Sequence, residues 1–443
     1  MSPRKDRLIV PCSILDTDLY KFTMQQAVLR HFPEVQATYR FTHRDKDIYF
    51  SRECYNLFVE SIKHFGEMGL TDTEHAWLAK TCSYFSSEYL EYLSKFRFKP
   101  EQVKVTFHPK DPYAPVSRYQ PPPHEDGVEG RDELGRIDIE ASGPWHETIL
   151  WEVPLMACLS ELFFTTVDTD WSYEGQEEMA YSKARTYLEH GCVFSEFGTR
   201  RRRSYRTQDL VVETLIRANE EYKNDAAAQS KQGEKGRLMG TSNVHLAQKH
   251  SLAPIGTIAH EWFMAVGALR GYEHANALAL DLWEEVYPNA LLLALTDTFS
   301  TEAFFRDFTT QRAEKWAGLR QDSGDPYVYA PRAKEVYEAL GVEYKDRKTI
   351  IYSDSVNVEK ALKLRAQARE LGFLPSFGIG TSLTNDFHSL SSGGKEKSKA
   401  LNMVIKLNSV DGRPCVKISD ELSKNTGDPE TVKLVKATFN INA

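Results

Sequence analysis

An α/β fold, with a parallel (β/α) barrel following an α+β N-terminal domain, is what this sequence predicts, and three observations carry it. From Gly191 onward, short apolar runs alternate with longer segments of helical periodicity. Nearly every run ends in a cluster of polar, chemically capable residues. The first 150 residues show neither feature.

In the first 150 residues, amphipathic segments mix with short aromatic ones such as 37–41 (ATYRF) and 103–107 (VKVTF), which reads as α+β. Residues 109–135 turn polar and proline-rich, with Pro121, Pro122 and Pro123 running into His124, Glu125 and Asp126, and are expected to form a solvent-exposed excursion. The barrel is assigned to 151–399. Its runs are 192–197, 238–241, 254–258, 290–296, 317–321, 349–353 and 375–379, and the segment after the sixth, 357–371, repeats its apolar positions every three or four residues. Serial βα units build either an open doubly wound sheet or a closed barrel. An open sheet needs reactive strand ends only beside its switch point, whereas a barrel gathers all of them around one mouth. Here the clusters fall at 196–200, 241–243, 257–260, Asp297, 320–322, Asp354 and 378–382, which favours the barrel. Residues 223–236 read as a surface loop. Runs 401–407 and 414–418, separated by a turn containing Asp411-Gly412, predict a hairpin that returns to complete the N-terminal domain with residues 400–443.

At 443 residues, 41% hydrophobic and 27% charged, the chain exceeds the roughly 100–200 residues of one domain. A net charge of −8 argues against nucleic acid or an anionic membrane as partner. The six cysteines lie far apart with no metal-binding spacing. No signal-peptide core and no uninterrupted apolar run of membrane-spanning length is visible, so a reducing, cytoplasmic location is expected, with the nucleus left open.

Four strand ends carry chemistry. Gly378 and Gly380 precede Thr381 and Ser382 where a short helix could begin, which suits a phosphate; a plain strand-to-turn glycine pair is the bland alternative. Glu196-Phe197-Gly198-Thr199 leads into Arg200, Arg201, Arg202 and Arg203. Some of these are expected on a solvated face, and one or two to neutralise a carboxylate or pyrophosphate. Arg320 and Asp322, two apart on a strand, face the same side and either serve one ligand or form a structural ion pair. With Asp297 and Asp354 they give three carboxylates for ribose hydroxyls, magnesium or a cationic transition state. His260 stands at a strand's end where an imidazole held in one tautomer could attack a phosphoryl group, although most of the 13 histidines must be ordinary.

The segments Asp16-Thr17-Asp18-Leu19-Tyr20-Lys21, 148–155 (TILWEVPL), 196–201 (EFGTRR), 240–243 (GTSN), 256–262 (GTIAHEW), 318–326 and 377–383, in that order, resemble the nicotinate phosphoribosyltransferase family, in particular its fungal-type members. The resemblance implies a type II phosphoribosyltransferase fold, an irregular α/β barrel joined to a domain built from both chain ends. It implies that nicotinate, phosphoribosyl pyrophosphate and ATP yield nicotinate mononucleotide in NAD salvage, with Mg2+, and that ATP phosphorylates His260 to favour substrate binding. Tyr20 and Phe197 would sandwich the pyridine, Tyr20 being open to donation by a partner subunit in a homodimer. Arg200 and Arg320 would meet nicotinate and phosphates, Asp322 and Asp354 the ribose, and Gly380 to Ser382 the 5′-phosphate, while Asp297 orients His260. Thr241, Ser242 and Gly378 complete the substrate-binding set. Ser242 replaces an aspartate of nicotinamide-using relatives, which favours nicotinate. Nicotinamide or quinolinate as acceptor, or a non-catalytic nucleotide-binding barrel, are the alternatives.

Overall fold

The computed structural model describes residues 7–122, 133–226, 230, 234–421 and 425–441. Its strands, in chain order, are β1 (Gln36–His43), β2 (Phe50–Ser51), β3 (Val103–Pro109), β4 (Leu134–Pro144), β5 (Val193–Glu196), β6 (Arg237–Thr241), β7 (Leu293–Leu295), β8 (Gly318–Gln321), β9 (Thr349–Tyr352), β10 (Leu374–Ile379), β11 (Asp386–His388), β12 (Lys397–Lys399), β13 (Met403–Val410) and β14 (Arg413–Pro414).

The first sheet is antiparallel in the order β14-β13-β1-β4-β2, with β3 also on β4. The proline-rich excursion is the β3–β4 connection; Pro123, His124, Glu125 and Asp126 lie outside the described residues. The second sheet runs β6-β5-β10-β9-β8-β7, every neighbour parallel. Its strands are short because each is only the apolar run between a helix end and a reactive tip, with helices packed against the outer face.

The expected strand at 254–258 is the exception. It makes one parallel bridge, Thr241 with Pro254, and Ile255 donates its N–H to the Thr241 carbonyl at 2.8 Å. On its other side the contact with β7 is a side chain: the Thr257 hydroxyl donates to the Leu293 carbonyl at 3.2 Å. Pro254 has no N–H to offer a ladder. A bridge and a hydroxyl therefore span the gap between the edge strands, and the barrel is irregular at that point.

The C-terminal hairpin is also shorter than expected. Ser409 pairs with Pro414 and Val410 with Arg413 around Asp411-Gly412, whose φ angles of +45° and +73° are the positive pair a two-residue hairpin turn needs. β13 lies along β1, Thr42 opposite Val404. Cys415 still donates its N–H to the Asn408 carbonyl at 2.9 Å; beyond it the chain leaves the hairpin, and Ile418 bridges Phe299 in parallel. Residues 414–418 are thus an arm from the N-terminal sheet to the barrel mouth.

Residues Trp145–Thr166 have the length and hydropathy of a membrane span, but 89% of the most apolar window is buried inside the protein. The helix Glu152–Thr166 packs against the helix Arg52–Lys63, β13 and the 199–201 turn, joining the two sheets. Of the expected loop 223–236, Lys223 and Asn224 close the helix Tyr205–Asn224, and 227–229 and 231–233 lie outside the described residues.

Candidate active site

The arginine run is not a solvated helix face. Arg202 and Arg203 are 3% and 0% exposed. Arg202 donates both terminal nitrogens to Asp16, at 2.6 and 2.7 Å. Arg203 lies 3.6 Å from the Phe164 ring centroid and 4.3 Å from that of Phe387, with its nitrogens on Ser398. These two are structural, because aromatic and acidic neighbours distant in sequence enclose them. Arg202→Met is expected to lower unfolding free energy by about 3–5 kcal/mol in equilibrium denaturation, since it strands a buried Asp16 carboxylate.

Arg200, in contrast, keeps 41% of its side chain exposed while Nη1 reaches Glu152 at 3.2 Å and Nε lies 4.0 Å from Asp18. Asp18 accepts from the Ser242 hydroxyl at 2.7 Å, and Leu19 donates its N–H to the Ser242 carbonyl at 2.8 Å. The start of the helix Leu19–His31 is thereby pinned to the tip of β6 in the same chain. Tyr20, 8% exposed, is within electrostatic reach of Arg200. Ser242 does not leave the site free of a carboxylate, for Asp18 stands against it. Thr241 points away from the mouth, its hydroxyl donating to buried Glu196.

Phe197 is half-buried beside β10: a Cβ on Gly378 would lie 3.5 Å from its ring, and one on Gly380 only 3.1 Å from its carbonyl oxygen. Gly380 therefore sits where chain meets chain closely. The helix after it is a single turn, Thr381–Thr384; Thr381 and Ser382 are half-exposed, and the Ser382 carbonyl accepts from Lys183 at 2.6 Å. Asp354 is half-buried at the end of β9, its backbone carbonyl accepting from Lys360.

His260 opens the helix His260–Arg270 and is surrounded by charge. Nδ1 lies 3.0 Å from the Thr298 hydroxyl; Nε2 lies 3.1 Å from Asp322 Oδ2 and accepts from Lys417 Nζ at 2.9 Å. Asp297 is 4.0 Å from Nε2 and 3.2 Å from Lys417 Nζ. Thr298, not Asp297, therefore orients the ring, and Asp297 acts on Lys417. Burial, then Lys417, hold the imidazole below its usual 6.5, against the pull of Asp297 and Asp322. A neutral ring that donates Nδ1–H to Thr298 leaves a lone pair on Nε2. Asp322 stays ionised although burial works against its charge, because Arg320, donating to Oδ1 at 2.9 Å, and the nearby Lys417 ammonium hold it well below the usual range. Ser353 donates to the same carboxylate.

Spacing along the chain gives no sign of Lys417, Thr298, Ser353, Lys406 or Arg44. Lys406, on β13, is pushed down to about 7 by burial and by Arg44, Lys417 and Arg201, and burial with Arg200 and Arg44 lowers Arg201 to about 10. Cations crowded until their charge is disfavoured are matched to an anionic ligand. The visible hint is Lys406 set between Ile405 and Leu407 in the apolar first half of β13.

Ligand atoms of His260, Asp297 and Asp322 lie within 4.8 Å of one another. They do not fit a resident magnesium ion: Lys417 already places its ammonium among them, Asp322 is committed to Arg320 and Ser353, and magnesium prefers an octahedron of oxygens.

A barrel mouth that gathers arginines, carboxylates and a neutral histidine from successive strand tips defines an enzyme acting on phosphorylated anions. Residues 192–443 match the nicotinate phosphoribosyltransferase (NAPRTase) family and residues 15–160 match its N-terminal domain. The chain is 41% identical over 427 residues to the nicotinate phosphoribosyltransferase of Saccharomyces cerevisiae, covering 96% of this chain and 94% of that one. It is 39% identical over 426 residues to a probable nicotinate phosphoribosyltransferase of Schizosaccharomyces pombe, covering 95% of each. Solved structures agree: that of the Saccharomyces cerevisiae protein superposes with a TM-score of 0.87 at 39% identity over 97% of this chain and 98% of that one, and that of Porphyromonas gingivalis with 0.81 at 35% over 97% and 99%. The chain belongs to the nicotinate phosphoribosyltransferase family.

Proposed function

We propose that this protein condenses nicotinate with phosphoribosyl pyrophosphate to nicotinate mononucleotide and pyrophosphate, and that it hydrolyses ATP through a phosphohistidine at His260. The neutral His260 carries this reading, held by Thr298 and faced by Lys417 inside a mouth of crowded cations. In the first step Nε2 attacks the γ-phosphorus and the bond to the ADP oxygen breaks; Lys417 offsets the charge. Water later cleaves the N–P bond and releases phosphate. In the second, the pyridine nitrogen bonds to C1 of the ribose as the C1–O bond to pyrophosphate breaks. The cationic character at C1 is stabilised by Asp322 and Asp354, and the leaving group by Arg201, Arg44 and Lys406 with magnesium as its substrate counter-ion. Arg200 and Arg320 meet the nicotinate carboxylate and phosphates, Tyr20 and Phe197 its ring, and Gly380, Thr381 and Ser382 the 5′-phosphate. The same proposal places the protein in a reducing cytoplasm, in keeping with six free cysteines, five of them buried.

Nicotinamide is the second reading, favoured by one observation: Asp18, buried against Ser242 and raised by burial above the usual carboxylate range, could accept an amide N–H. Product analysis with nicotinate, nicotinamide and quinolinate in turn, each with the phosphoribosyl donor and magnesium, with and without ATP, decides. Nicotinate mononucleotide, formed faster with ATP, is expected; turnover of nicotinamide alone would overturn the choice of acceptor.

The lowered pKa of His260 fixes a pH dependence. A depressed imidazole is neutral in the folded protein at and above 6.5, so labelling by [γ-32P]ATP should be flat from pH 8 to 6.5 and fall only below it. Stability moves with the same sign: the folded state resists the proton the unfolded chain takes up, so this group's contribution is lost below 6.5. A labelling rate that halves near pH 7.5 would contradict the assignment.

A further inference from the structure

Three helices begin beside one another beneath the mouth: Leu19–His31, Glu152–Thr166 and His260–Arg270. Each brings one charged residue of its first turn to the same point. Lys21 Nζ lies 2.5 Å from Glu152 Oε2 and 2.8 Å from Glu261 Oε2. Lys21 is 0% exposed and the two glutamates 6% and 8%. Tyr39, which accepts from the Trp145 indole at 2.9 Å, closes the far side of Glu261 at 3.5 Å. The carboxylates are placed favourably at helix starts, yet none of the steps above uses this ion network.

Its neighbours give it a task. The other oxygen of Glu152 receives Arg200 at 3.2 Å, and Glu261 follows His260 directly in the chain. A carboxylate ligand arriving at Arg200 competes with Glu152 for the guanidinium. Glu152, nearly buried, then leans on Lys21, and Lys21 in turn on Glu261. Burial, opposed by Lys21 and aided by Glu152, pushes Glu261 up to about 6, so the network responds to small changes in its own charge. A buried chain of hydrogen-bonded charges is a physical connection of the kind that couples two sites.

We propose that Lys21 is a positioning residue that couples occupancy of Arg200 by the acceptor carboxylate to the placement of His260 for phosphoryl transfer. The proposal rests on the reading of Arg200 and His260 given above.

The test is the factor by which ATP lowers the KM for nicotinate, about fivefold or more for a coupled pair of sites. It is measured on the parent full-length protein, on Glu261→Gln and on the charge-balanced double variant Lys21→Met/Glu261→Gln, with a thermal melt of each. In the double variant the factor is expected to fall toward one while kcat without ATP stays within about threefold of the parent; Glu261→Gln, which keeps a partner for Lys21, should lose part of the factor. An unchanged factor in either folded variant, or loss of activity that only tracks loss of folded protein with parental KM, overturns the proposal and leaves the enzymatic reading standing. Should the double variant not fold, Glu261→Gln alone decides by the same criterion. A parent that forms nucleotide with no ATP effect on KM also overturns it. A parent that forms no nucleotide at all sinks the enzymatic reading and the coupling with it.

Discussion

Replacing Asp322 with asparagine is expected to lower kcat/KM for nucleotide formation by about two to four orders of magnitude while moving the melting temperature little. Arg320 and Ser353 both donate to Oδ1 of Asp322, and His260 Nε2 stands 3.1 Å from Oδ2. Asparagine preserves its shape and one acceptor oxygen, so packing survives. What disappears is a negative charge kept ionised in a buried place, the only kind of group there that can stabilise positive character at C1 without being titrated away. If the pair with Arg320 were merely structural, the loss would appear in the melt and the kinetics of the folded fraction would be parental. Steady-state rates beside a calorimetric scan separate the two outcomes.

His260→Asn should abolish the acid-labile phosphoprotein formed from [γ-32P]ATP and reduce ATP hydrolysis by at least about a hundredfold. Nucleotide formation without ATP should persist, because the carboxylates at Asp322 and Asp354 and the arginines are untouched. Asparagine can still bond to Thr298 but offers no nucleophilic nitrogen. Label retained in this variant would place the phosphoryl group elsewhere and remove the histidine from the mechanism.

Much of the barrel is legible in the sequence because each strand's apolar run stops where its chemistry starts: 318–321 ends beside Asp322, 349–352 before Asp354, 374–379 before Gly380. Local alternation also places Arg320 and Asp322 on one side, as their 2.9 Å contact requires. What escapes is set by neighbours far along the chain. The arginine run reads as a solvated face until Phe164, Phe387 and Asp16 enclose two of its members. Thr298 takes the orienting role from Asp297 because the ring is approached from the side where the hydroxyl sits. Lys406 and Lys417 reach the mouth only because β13 joins a sheet formed from the first part of the chain. The weak strand at 254–258 is hidden for a simpler reason: its composition is apolar, but Pro254 removes a donor.

The arm from Pro414 to Ile418 has a consequence for biosynthesis. Before a ribosome reaches residue 406, the nascent chain holds His260, Asp297 and Asp322 but neither Lys406 nor Lys417. The cationic side of the mouth is therefore completed late, when residues 403–418 return to a sheet laid down by the first part of the chain.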